Sequence, residues 1–132
     1  MKQITHLDNE VKQLVHEKEE LCEKLCSYFH FLYGQDFEKY HVKLVVEVIR
    51  ERGCCLVSRQ EIFEKGYKSY IEIGLEMGGE YYPNESIPIW KCKGELFHQV
   101  GYLTMDTKEE LSRKIDETIK SMLEELSEEN KI

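Results

Sequence analysis

The chain has 132 residues, is 41% hydrophobic and 33% charged, and carries a net charge of −8. This composition excludes a disordered or fibrous chain and is enough for one packed core. No apolar run approaches the ~20 residues of a membrane helix, and the opening MKQITHLDNE has no signal-peptide character, so no membrane association is expected.

The charge is uneven. Residues 1–38 carry 4 basic and 8 acidic side chains, residues 39–68 carry 7 and 4, and residues 69–132 carry 7 and 14. Acidic ends repel a phosphate backbone, which makes nucleic acid an unfavourable partner, whereas a basic protein is favoured electrostatically. The five cysteines include the adjacent pair Cys54 and Cys55. An odd count with a vicinal pair fits a reducing compartment better than a disulfide scaffold, and the expected location is cytoplasmic.

The first segment, residues 1–34, has Ile4, Leu7, Val11, Leu14, Lys18, Leu21, Leu25, Tyr28 and Leu32 at heptad spacing. It predicts a helix from about residue 6 to about residue 33, with Thr5 and Asp8 near its start and Gly34 as its stop. Such a helix is about 40 Å long, against strands of about 20 Å in a small sheet. The overhang predicts a homo-oligomer, most simply a dimer, with Leu7, Val11, Leu14, Leu21 and Leu25 as interface candidates.

Residues 41–105 read as an antiparallel sheet of four to five strands. HVKLVVEVIRERG alternates as a strand, and Arg52-Gly53 turns the chain. Residues 54–63 read as the second strand of a hairpin, although Ser58 and Glu61 also have capping-box spacing. In YKSYIEIGLEM, Tyr67, Ile71, Ile73, Leu75 and Met77 alternate with Lys68, Tyr70, Glu72, Gly74 and Glu76, giving one core face and one largely wet face. The stretch GGEYYPNESIPIW follows. It contains both prolines and the one tryptophan, and it reads as a long aromatic loop. Residues 87–105 hold one or two more strands. From Thr107 to residue 129, a capping box and the stripe Leu111, Ile115, Ile119, Met122, Leu123 and Leu126 predict a C-terminal helix. The class is α+β, with the sheet between two helices in the chain.

Candidate binding residues are Tyr81, Tyr82 and Trp90, which are aromatic anchors if exposed. Trp90 has the alternative of opening the next strand and packing in the core. Arg50, Arg52 and Arg59 cluster at the first turn, as a clamp for an anion or as charges that guard a sheet edge. Cys22 and Cys26, one helical turn apart, fit core packing better than half a zinc site. Neither phosphate-loop, metal nor nucleophile spacing stands out, so no catalytic residue, metal or cofactor is expected. The leading expectation is a non-enzymatic protein that binds and modulates another protein, as an inhibitor, immunity protein or adaptor of the kind phages and mobile elements encode. The alternative is a protein that sequesters a small anionic, nucleotide-like molecule, and a small enzyme ranks third.

Overall fold

The computed structural model describes residues 1–130. Strand β1 (Lys2–Ile4) precedes helix α1 (Asn9–Glu38). Strands β2 (Lys43–Arg52), β3 (Cys55–Leu56), β4 (Tyr67–Met77), β5 (Glu80–Glu95) and β6 (His98–Leu103) follow, and helix α2 (Lys108–Glu129) closes the chain. The six strands form one sheet in the order β1-β6-β5-β4-β2-β3, with every pair antiparallel. The α+β class is as expected. The extra strand is β1, three residues that the heptad reading absorbed into the first helix.

Helix α1 begins at Asp8, whose side chain accepts from Val11 N at 3.0 Å. It passes through Gly34 to Glu38. A glycine inside a helix costs about 1 kcal/mol relative to alanine, but the last turn is held by Phe37, which is fully buried. Burying a phenylalanine contributes about 1.5–3 kcal/mol, so the helix continues. The stripe on the sheet is Val15, Glu19, Cys22, Cys26, Phe29 and Phe37, one step round the helix from the heptad seam. The seam side turns towards α2. Leu25 is therefore buried within the chain, Leu7, Val11 and Leu21 are partly buried against the core, and Leu14 is the exposed member. Four of the five residues expected at an intersubunit seam thus already have partners. The overhang argument also falls, because β2, β4 and β5 have 10, 11 and 16 residues and match the helix far better than short strands would.

Residues 54–63 differ from the hairpin strand expected of them. Cys55–Leu56 pairs with Glu51 and Arg52, and the chain then leaves the sheet through a 3-10 turn at Arg59–Glu61. Its task is to cover Trp90. Ile62 is fully buried, its carbonyl accepts from Trp90 Nε1 at 2.7 Å, and Phe63 lies 6.2 Å from the indole. Trp90 is 1% exposed, so it is a core residue and not a contact residue. Its ring lies on Gly101, where an added Cβ would fall 1.8 Å from Cη2.

GGEYYPNESIPIW is not a loop. Gly78 and Gly79 both take positive φ (61° and 84°), as tight two-residue hairpin turns require, and β5 starts at Glu80. Both prolines sit at register shifts of the β4–β5 ladder, Pro83 opposite Gly74 and Pro88 opposite Tyr70. Proline is tolerated at such irregularities because no ladder hydrogen bond is lost there. Helix α2 begins at Thr107, whose Oγ1 accepts from Glu110 N at 3.1 Å. It buries Leu111, Ile115, Ile119, Met122 and Leu126. Tyr33 of α1 donates to Asp116 of α2 at 2.5 Å, and burial and this bond push its hydroxyl up to about 12. No described helix is long and apolar enough to cross a membrane.

Candidate functional site

The side chains of β2 and β4 alternate between two environments. Leu44, Val46, Ile71 and Ile73 face the helices and are buried. The opposite face carries the cross-strand pairs Lys43–Glu76, Val45–Gly74, Glu47–Glu72, Ile49–Tyr70 and Glu51–Lys68. It continues onto β5 and β6 with Ser86, Pro88, Lys91, Lys93 and Tyr102. No helix packs on this face among the described residues, so the fold leaves it open.

Its chemistry is specific. Glu47 and Glu72 stand directly opposite each other, a like-charge pairing that opposes sheet formation. Ser86 Oγ donates to Glu72 Oε2 at 3.4 Å, while Glu72 Oε1 is buried without a hydrogen-bond partner. Tyr81 lies across Gly74, with its hydroxyl 2.5 Å from where a Cβ would stand. Burial and the neighbouring Glu72 carboxylate raise its pKa. Tyr70 donates to Glu51 at 3.1 Å, and burial with this bond pushes its hydroxyl up to about 12. Lys68 sits 5.8 Å over the Tyr70 ring. Lys91 and Lys93 sit 5.2 and 5.9 Å over Tyr102, whose hydroxyl donates to Glu95 at 3.2 Å. Beyond Glu95 the β5–β6 turn exposes Leu96 and Phe97 completely, with Leu96 held at φ 45°. A bulky residue in that region is strained.

The residues singled out from sequence are dispersed by this arrangement. Tyr81 is on the open face at 43% exposure. Tyr82 pairs with Leu75, points to the opposite side, and lies beside Met122 and Leu126 of α2, so the two tyrosines cannot act as one anchor. The three arginines are each engaged by carboxylates. Arg50 Nε donates to Glu19 at 3.0 Å and its Nη2 donates to Glu23, Arg52 pairs with Glu61 at 3.7 Å, and Arg59 pairs with Glu20 at 2.9 Å. Arg50 and Arg59 secure the β2 edge and the following turn to α1, and Arg52 ties β2 to the turn itself through Glu61 and the Lys65 carbonyl, which leaves no free arginine fork for an anion at that turn.

Sequence reasoning missed two features. One is Tyr70, Tyr102 and the Glu47–Glu72 pair, whose proximity depends on strand register. The other is Glu19, fully buried, which accepts from Arg50 and from Tyr67 Oη at 2.7 Å. Burial and the Glu19 bond raise the Tyr67 pKa. Cys22 and Cys26 are buried beside this network, and burial pushes both thiols up to about 12. Among the described residues no three His, Cys, Asp or Glu side chains converge as a metal-binding group. Comparison with protein-family models, curated proteins and solved structures found no match.

Proposed function

We propose that the chain is a cytoplasmic, non-enzymatic binding protein that modulates another protein, contacting a basic surface of it through the open face of the sheet. The observation that carries this reading is the Glu47–Glu72 pair. Two carboxylates face each other at the centre of an uncovered sheet, flanked by Tyr70, Tyr81, Val45 and Ile49. In the chain alone the arrangement is unfavourable. A lysine or arginine from a partner, set between tyrosines, converts it into a charge-assisted contact within an aromatic surround, the pattern of interface hot spots. An inhibitor, immunity or adaptor role fits a face of this kind. The engaged arginines argue against the alternative of an anionic small molecule at the first turn.

Self-association belongs to the same reading. Its support is the apolar side chains left uncovered on α1, namely Leu14, Tyr28, Phe31 and Leu32.

The test is quantitative affinity capture from the native host with wild type, Tyr70→Ala and Glu72→Lys as baits. The reading expects a basic protein retained by wild type and lost, by about tenfold or more, from both variants. Identical retention on all three baits contradicts it.

A further inference from the structure

Helices α1 and α2 lie side by side on the core side of the sheet, and the trench between them has apolar walls and a basic rim. We propose that this trench binds a small amphipathic anion, a carboxylate or phosphate monoester carrying an unbranched apolar chain. The inference is independent of the open sheet face, which lies on the other side of the molecule.

Two bonds fix the trench. Lys18 Nζ donates to Asp106 O at 3.0 Å, just before α2 begins, and Tyr33 Oη donates to Asp116 at 2.5 Å. The first segment advances from residue 18 to 33 as the second advances from 106 to 116, so the helices run parallel and are tied at two levels. The trench holds a cavity of about 430 Å³, within the ~300–1,000 Å³ of small-molecule sites.

Its apolar lining is Leu21, Leu25, Tyr28 and Phe29 of α1. Leu25 and Phe29 are buried and make the floor, Leu21 is partly buried, and Tyr28 is half exposed. From Leu21 to Phe29 the trench follows α1 for about 12 Å at 1.5 Å per residue, a length that takes an extended chain. Leu21, Leu25, Tyr28 and Leu32 belong to the heptad seam, which a partner helix would cover along its whole length. Here Tyr28 and Leu32 stay half exposed, so the chain fills its own seam only in part.

Charge selects the occupant. The rest of the lining is Lys24 from α1 and Lys108 and Ser112 from α2. Neither lysine has an ion-pair partner among the described residues. No carboxylate lines the trench, although the chain carries 26 acidic side chains against 18 basic ones. Two unmatched ammonium groups on facing helices, beside an apolar wall, favour one shared anion. An anionic head between Lys24 and Lys108 accepts from both, the Ser112 hydroxyl supplies a further donor, and the tail covers Leu21, Leu25 and Tyr28. A neutral chain leaves the two lysines repelling each other, and a cationic one adds a third like charge. A second copy seated in this trench would bring two more lysines to it, so the charge favours a small anion there.

The test is an NMR titration of the full chain with four amphiphiles that share an octyl-type tail: octanoate, octyl phosphate, octanol and octyltrimethylammonium. Wild type should bind an anion saturably, with amide shifts centred on residues 21–29 and 108–112. Octanol and the cation should bind at least about tenfold more weakly. The tighter of the two anions tells a carboxylate from a phosphate head. The double variant Lys24→Glu, Lys108→Glu changes two exposed positions. It should keep the wild-type melting temperature and lose the preference for the anion, and Lys24→Gln with Lys108→Gln should lose it as well. Equal affinity for octanol and both anions, shifts centred elsewhere, no saturable binding of either anion, or an anion preference that survives both double variants overturns the proposal. Shifts of the same amides on dilution alone, with light scattering showing a dimer that dissociates, assign the trench to a second copy and overturn it too.

Discussion

Replacing Glu72 by glutamine should make the protein more stable and less able to bind. Glu72 pays for its position in two ways in the isolated chain. It faces Glu47 directly across the β2–β4 ladder, and a like-charge pair of this kind costs about 0.2–1 kcal/mol. Its Oε1 is also buried without a partner, which costs about 1–3 kcal/mol for a charged acceptor. Glutamine keeps the shape, removes the repulsion and lowers the desolvation penalty. It also weakens the charge-assisted contact with the Tyr81 hydroxyl, and its amide nitrogen needs an acceptor of its own. The net gain is then about 1 kcal/mol, equivalent to roughly 4 °C in melting temperature for a domain of this size. Thermal unfolding followed by circular dichroism measures the first half, and titration against the captured basic partner measures the second. A lower melting temperature for Glu72→Gln would show that the carboxylate is already satisfied within the chain, and the electrostatic argument for a basic partner would fail with it.

Glu19→Ala should destabilise the fold by about 3–5 kcal/mol, because it leaves Arg50 and the Tyr67 hydroxyl without their shared buried acceptor. Urea titration checks this, and a loss under 1 kcal/mol would show that water replaces the carboxylate easily. Gly101→Ala should prevent folding or lower the melting temperature by ten degrees or more, since its Cβ would meet the Trp90 ring and overpacking of this kind costs at least about 1–3 kcal/mol. Under native conditions a thiol reagent should label exposed Cys54 and Cys55 fast and buried Cys22, Cys26 and Cys92 only on unfolding. Cys22 and Cys26 are raised from 9.0 to about 12 in the folded chain, so the unfolded chain releases these protons first. Their contribution is present below pH 9 and is lost as pH rises from 9 towards 12. The urea midpoint should therefore fall on that alkaline side, and a flat midpoint there would contradict the assignment.

The face-by-face alternation of residues 67–77 was readable because a strand has a period of two, and one side of this one is apolar. The structure keeps that division, with Ile71 and Ile73 in the core and Lys68, Tyr70 and Glu72 outside. Helix α2 was equally legible, since its cap and stripe are local. The partner of Glu72 across the ladder was not, because register follows from turn geometry and bulges, which a one-residue slip would invert. Pro83 and Pro88 made the start of β5 resemble a loop, and only the register shifts beside them show how a strand accommodates both. Glu19 escaped notice because a glutamate on a helix is ordinarily solvated. Its burial depends on Arg50 and Tyr67, which lie 31 and 48 residues away. The heptad seam was real as a pattern, but α2 and the core claim most of it. Its uncovered members are Leu14, Tyr28 and Leu32, and the most exposed apolar side chain of α1, Phe31, lies outside it.

The central claim is that the open sheet face receives a protein partner, and site-specific photo-crosslinking tests it most directly. A photoreactive phenylalanine analogue is placed at Tyr70, at Tyr102 and, on the opposite side of the molecule, at exposed Glu109 of α2, and the chain is irradiated in its host. The account predicts adducts to the same basic protein from positions 70 and 102, and none to it from position 109. Adducts from position 109 alone, or none from either sheet position while the chain is folded, would contradict it.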